Sequence, residues 1–172
     1  TKMAHITNIM IAGVGGQGTV LAGRILSLVA QQAGYDVKVS EIHGMSQRGG
    51  SVVTQVRYGK RVAAPIIPFG EVDYLLAFDK LEALRMLPQL QAARGKMIVN
   101  VREMPPMPVL AGVAEYPSDI EATLTAAGDV VFLDAFKLAM EAGNAKAVNI
   151  VLLGKLSQSM EFPEEAWAKA IE

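Results

Sequence analysis

Asn8-Ile9-Met10-Ile11-Ala12 runs directly into Gly13-Val14-Gly15-Gly16-Gln17-Gly18. Five residues with an apolar centre, ending in glycine, have the pattern of a buried parallel strand. The glycines that follow satisfy G-x-G-x-x-G at Gly13, Gly15 and Gly18. Glycine lets backbone approach a phosphate closely, and the free N–H groups and dipole at a helix start favour an anion there. The spacing predicts a helix over 18–33, with Leu21, Ile25, Leu28 and Val29 on one side and Gly34 as its C-terminal cap. Asp36 to Ser40 alternates like a strand. Strand, glycine loop, helix and strand together make a βαβ opening of Rossmann type.

Outward from this unit, Ser51 to Tyr58 reads as a strand, and Gly59-Lys60 suits the turn of a hairpin to a second strand over Arg61 to Ile67. An antiparallel hairpin beside parallel units predicts a mixed sheet. Further strands are expected at Tyr74–Phe78, Lys96–Val101 and Val130–Leu133. Asp79 with Glu82 and Ser118 with Glu121 have the spacing of capping boxes, and Gly128 suits a helix end. Met104-Pro105-Pro106-Met107-Pro108 is expected as an extended loop, since proline disrupts a helix interior and cannot donate to a sheet ladder. Helices are expected near 135–142 and 145–157, and one opens at Pro163-Glu164-Glu165. The chain stops inside that last helix without a cap, and Thr1 is no initiator Met. The expectation is therefore that the ends of this sequence are not those of the gene product. With no linker or repeat, 1–172 reads as a single three-layer α/β/α domain with a mixed, largely parallel sheet.

Composition narrows the function. The 172 residues carry a formal net charge of −1 and are 51 % hydrophobic, with few aromatics and no basic run, which excludes a nucleic-acid partner. No apolar stretch reaches the roughly 20 residues of a membrane span. With no secretory leader, the cytoplasm is the expected compartment. The apolar excess fits a sheet covered on both faces, or a subunit with a large buried interface formed with a partner or with itself. There is no cysteine. Disulfides, thiolate metal sites, iron–sulfur ligation and a Cys nucleophile are thus excluded from these residues. No Ser-His-Asp set or G-x-S-x-G elbow is present.

Glu41 lies 23 residues beyond Gly18, near where a dinucleotide domain keeps its ribose-binding carboxylate. That context supports NAD binding; the plainer alternative is that the glycines only permit a tight strand–helix turn. Two features weaken the dinucleotide reading. Gly16-Gln17 puts an amide at the loop tip, where it can meet a ligand or a partner chain. Glu41 also leads into Ile42-His43-Gly44-Met45-Ser46-Gln47-Arg48-Gly49-Gly50, a loop that sets Glu, His, Gln and Arg beside three glycines. Arg48 has two readings: a bidentate contact to phosphate or carboxylate, and an ion pair with Glu41. His43 is either an acid–base group or a hydrogen-bonded structural residue, the second being favoured.

The glycine loop, the Glu41-to-Gly50 block and Val52 to Arg57 together resemble the small, gamma-type subunits of the 2-oxoacid:ferredoxin oxidoreductases, and within them the branch acting on indolepyruvate. The resemblance continues through Leu75 to Leu87, Asn149 to Leu156 and Phe162 to Glu165, nearly the whole chain. It implies a complex that oxidatively decarboxylates a 2-oxoacid to an acyl-CoA and passes electrons to ferredoxin. A large partner would hold thiamine diphosphate, Mg and the iron–sulfur clusters, with CoA as co-substrate. The small chain would be inactive alone, with no cofactor of its own. The candidate ligand-binding residues are Gly13, Gly15, Gly16, Gln17, Gly18, Glu41, His43, Gln47 and Arg48. Three readings compete with this one: a gamma subunit for pyruvate, 2-oxoglutarate or ketoisovalerate, a free-standing NAD-binding protein, and a stand-alone homologue that uses the fold purely as a protein-interaction module.

Overall fold

The computed structural model describes residues 5–43 and 50–172. Six strands form one sheet in the order β2-β3-β1-β4-β5-β6. They are β1 (Thr7–Val14), β2 (Asp36–His43), β3 (Ser51–Gly59), β4 (Tyr74–Ala77), β5 (Lys96–Asn100) and β6 (Asp129–Leu133). β4, β5 and β6 run parallel to β1, whereas β3 is antiparallel to both of its neighbours. Seven helices follow: α1 (Thr19–Gln32), α2 (Lys80–Met86), α3 (Met107–Leu110), α4 (Ile120–Ala127), α5 (Ala135–Glu141), α6 (Val148–Ser157) and α7 (Glu164–Ile171).

Alternation along β1 splits the core into two. Ile9 and Ile11 face a cluster built with α1, α6 and α7, including Leu26, Leu152, Leu153, Leu156 and Trp167. Met10 and Ala12 face the other side, with Leu75, Met97, Ala83 of α2 and Ile120 and Leu124 of α4. The molecule is thus the three-layer α/β/α sandwich with a mixed sheet that the pattern predicts. Even β1's polar residue is buried: Asn8 donates to Glu71 O and accepts from Arg57.

The sheet is mixed for a different reason from the one expected. Arg61 to Ile67 forms no strand, and β3 instead pairs along its length with β1 and β2. Side chains have taken the backbone groups of the 61–67 segment. Gln55 Oε1 accepts from Ile67 N at 2.7 Å, Asp36 Oδ2 accepts from Val62 N at 2.8 Å, and Arg57 donates to the carbonyls of Ala64 and Ile66. The segment therefore lies over the second face of the sheet, with Ile67 in its core.

Other local expectations also change. On α1 the buried apolar side chains are Ala22, Ile25, Leu26, Val29 and Ala30, while Leu21 and Leu28 are 50 % and 44 % exposed. The helix packs so close to β3 that a Cβ on Gly23 would meet Thr54 Cγ2 at 2.7 Å, so the point of closest approach admits only glycine, with Ile25, Leu26 and Val29 packed around it. The proline run is partly helical: Pro106 caps α3, with Pro108 in its first turn, where the missing N–H costs nothing. Neither capping box closes. Asp79 accepts from Leu81 N and Glu82 N, but Glu82 turns to Ser51; α4 starts at Asp119 with no side-chain cap. Gly34 does adopt a left-handed conformation after α1.

Candidate functional site

Between β1 and β4 the chain order in the sheet reverses, since β1 leads to β2 and β3 on one side and β4 leads to β5 and β6 on the other. Ligands in open α/β sheets bind outside the carboxyl ends of the strands at such a point. A cleft of about 470 Å³ lies there. Its walls are the glycine loop from Gly15 to Gly18, Phe78 and Asn100 at the ends of β4 and β5, Arg102 and Met104 on the strap over 101–106 that joins β5 to α3, and Lys146 and Asn149 just before and within the first turn of α6.

The glycine loop is shaped by side chains as much as by its own turn. Gln17 Oε1 accepts from Val14 N at 2.7 Å, and Gln17 Nε2 donates to Met104 Sδ at 3.2 Å. Gly15 N donates to Gly50 O at 3.0 Å, tying the loop to the entry of β3. Gly18, with φ 89°, caps α1 and lies against Asn149: a Cβ there would meet Asn149 Nδ2 at 2.8 Å. The N–H groups of Gly16, Gly18, Thr19 and Val20 have no acceptor among the described residues. Free N–H groups at the start of a 14-residue helix form a ready anion site. Arg102 and Lys146, both exposed on the cleft wall, add positive charge; the neighbouring cation Lys80 is already paired with Glu103 and Glu121. No carboxylate or histidine lies among the described lining residues.

Beneath the wall are two buried carboxylates. Asp79, 1 % exposed, accepts from Leu81 N and Glu82 N with one oxygen and from Met104 N with the other. Burial pushes its carboxyl above the usual range, while those three N–H groups and Arg102 pull it back. Burial likewise raises Glu82, which accepts from Ser51 Oγ at 2.6 Å and pairs with Arg85 at 3.3 Å.

The structure gathers only part of the sequence-derived set. Gly15, Gly16, Gln17 and Gly18 line the cleft, and Gly13 lies beneath Gln17 at the end of β1. Gln17 is not an amide projecting from the loop tip, since both ends of its side chain are engaged within the chain. Glu41 and His43 lie on edge strand β2, exposed and 3.6 Å apart across Oε2 and Nε2. β3 separates β2 from β1, so Glu41 stands two strand spacings, about 10 Å, across the sheet from the glycine loop's strand. A dinucleotide fold places its carboxylate on the strand beside β1. Gln47 and Arg48 fall outside the described residues. Sequence reasoning passed over Asn100, Arg102, Met104, Lys146 and Asn149. For Asn100 and Arg102 the available signal was position, at and just past the carboxyl end of parallel strand β5; Met104, Lys146 and Asn149 carry no such local signal.

Among the described residues no group of His, Asp and Glu could hold a metal ion, and no helix is long and apolar enough to cross a membrane. Residues 8–172 match the family described as pyruvate ferredoxin/flavodoxin oxidoreductase. The chain is 45 % identical over 160 residues to the indolepyruvate oxidoreductase subunit IorB of Thermococcus kodakarensis, covering 91 % of this chain and 79 % of that protein. Two solved structures share the fold. The gamma subunit of a keto/oxoacid ferredoxin oxidoreductase from Geobacter sulfurreducens superposes with a TM-score of 0.68 at 22 % identity, over 96 % of this chain and 84 % of that one. The 2-oxoglutarate:ferredoxin oxidoreductase of Magnetococcus marinus superposes with a TM-score of 0.72 at 18 % identity, over 96 % of this chain and 26 % of that one. A family match from β1 to the end of α7, and a relative this similar over nine-tenths of the chain, place the protein in the pyruvate ferredoxin/flavodoxin oxidoreductase family.

Proposed function

We propose that this chain is the small, non-catalytic subunit of an indolepyruvate ferredoxin oxidoreductase, forming a single domain over 1–172. The observation that carries the reading is the 45 % identity, over 91 % of the chain, to a protein named as an indolepyruvate oxidoreductase subunit. The neighbours named for 2-oxoglutarate and for pyruvate are 18 % and 17 % identical. In the proposed reaction an aryl-pyruvate loses CO2, its acyl group passes to the CoA thiol, and two electrons reduce two ferredoxins with release of one proton. A larger partner's thiamine diphosphate, Mg and iron–sulfur clusters supply the decarboxylation and electron transfer, because the 172 residues offer no thiolate to a cluster.

This chain's share is to bind and orient. The free N–H groups of the glycine loop, with Arg102 and Lys146, suit a phosphate of CoA, and Asn149 stands beside them. Glu41 and His43 on β2, together with Gln47 and Arg48, are the residues proposed for further ligand or subunit contacts.

The test is affinity capture of the full chain from its native lysate, followed by assay of what is captured. Co-purification of a large, cysteine-rich, thiamine-dependent partner, with CoA-dependent ferredoxin reduction on indolepyruvate, is the expected result. Recovery of the chain alone, with tight NAD(H) binding, overturns the reading.

A further inference from the structure

We propose that Gln17 is a positioning residue, which locks the glycine loop to the strap across the cleft and so fixes where the loop's free N–H groups point. This rests on the reading of the cleft as the site of a CoA phosphate. Gln17 spends its whole amide within the protein: Oε1 on Val14 N at 2.7 Å, Nε2 on Met104 Sδ at 3.2 Å. The inward seat exists because residue 13 has no side chain. A Cβ there would meet Gln17 Oε1 and Thr19 Cγ2, each at 2.7 Å. The first glycine of the motif thus makes room for a side chain rather than for a ligand.

The other end of the tie is anchored. Met104 N donates to Asp79 Oδ2 at 2.8 Å, and Asp79 Oδ1 accepts from Leu81 N at 2.9 Å at the start of α2. The lock therefore runs from α2 through Asp79, Met104 and Gln17 to Val14 at the carboxyl end of β1. It spans the two strands that flank the switch point. Releasing it lets loop and strap separate, which lowers the fraction of molecules in the binding-competent shape and raises the apparent dissociation constant by the same factor.

The assembled complex is assayed with CoA as the varied substrate. Gln17→Leu loses two hydrogen bonds and raises the CoA KM about tenfold; Met104→Leu loses one weak bond and raises it about threefold. A positioning role predicts that in both variants KM rises by a larger factor than kcat falls, because the defect lies in the population of the binding-competent shape. Met104→Gln, whose side-chain carbonyl offers Gln17 an acceptor at similar length, restores the wild-type KM. Thermal midpoints of the complexes identify any variant that simply misfolds, and the Leu-against-Gln comparison at position 104 does not depend on that. An unchanged KM in Met104→Leu, or a Gln variant as impaired as the Leu one, overturns the positioning role. Arg102→Ala separates the two claims. If it raises the CoA KM while Met104→Leu does not, only the role of Gln17 falls; if neither changes it, the cleft is not the CoA site.

Discussion

Gly18→Ala separates the two roles of the glycine at the start of α1. The first is conformational: φ is 89° and ψ is 22°, and alanine in the left-handed region costs about 1–2 kcal/mol. The second is steric: the new methyl meets Asn149 Nδ2 at 2.8 Å, Cγ at 3.2 Å and Cβ at 3.3 Å, and overpacking of this kind costs about 1–3 kcal/mol. The substitution is expected to destabilise the chain by about 3 kcal/mol, lowering the thermal midpoint by about 6–12 °C for a chain of this size. Asn149→Ala alone costs about 1 kcal/mol, since Asn149 Nδ2 reaches Gly18 O only at 3.5 Å and its other bond, accepted from Ile150 N, is local. In the double variant the clash with the amide disappears and the backbone cost remains. The double variant should therefore be more stable than the sum of the singles by about 1–2 kcal/mol. Urea unfolding of the four proteins, followed by far-ultraviolet circular dichroism, measures this coupling. Additivity within about 0.5 kcal/mol would refute the assignment of Asn149 as the group occupying that space.

Arg57→Met keeps the apolar stem but removes the donors to Asn8 Oδ1, Ala64 O and Ile66 O; a loss of about 2–4 kcal/mol is expected, with limited proteolysis appearing between residues 60 and 70. An uncut chain with an unchanged melting curve would contradict the account of how this segment is held. Glu82 gives a pH signature. Its carboxyl is raised in the folded state, so between the ordinary carboxylate value and the raised one the folded form holds more protons than the unfolded, and this group's contribution to stability falls as pH rises through that window. Glu82→Gln removes the titration while keeping an oxygen acceptor for Ser51. Relative to wild type it should gain stability as pH rises above the ordinary carboxylate range, and a pH-independent difference would show that burial does not penalise the Glu82 charge.

The boundaries at which the sequence succeeds and fails follow a pattern. β1, the glycine loop, the start of α1, the Gly34 turn and the Asp79 cap are specified by neighbours a few residues apart, through an apolar run, a left-handed backbone or an aspartate two or three residues before free N–H groups. Such signals survive any tertiary arrangement. On α1 the expected face is half right: Ile25 and Val29 are buried, but Leu21 and Leu28 are exposed, and the helix turns Ala22, Gly23 and Leu26 inward instead. The false strand at 61–67 has strand-like residues, yet Gln55, Arg57 and Asp36 compete for its backbone from positions 7 to 26 residues away.

The sequence by itself determined an α/β sandwich opening on a glycine loop, a mixed sheet, the lack of any thiolate, and the family to which the motifs belong. Tertiary structure decided which strand was reversed, and with it the geography of the site. By inserting β3 between β1 and β2, it moved Glu41 away from the glycine loop; by folding the strap back onto Asp79, it brought Arg102 and Met104 into the cleft. Asn149 arrives 131 residues after Gly18. The physical reason is range: dihedral preferences and caps act over one turn of chain, while a cleft at the ends of parallel strands is assembled from residues that only the strand order makes neighbours.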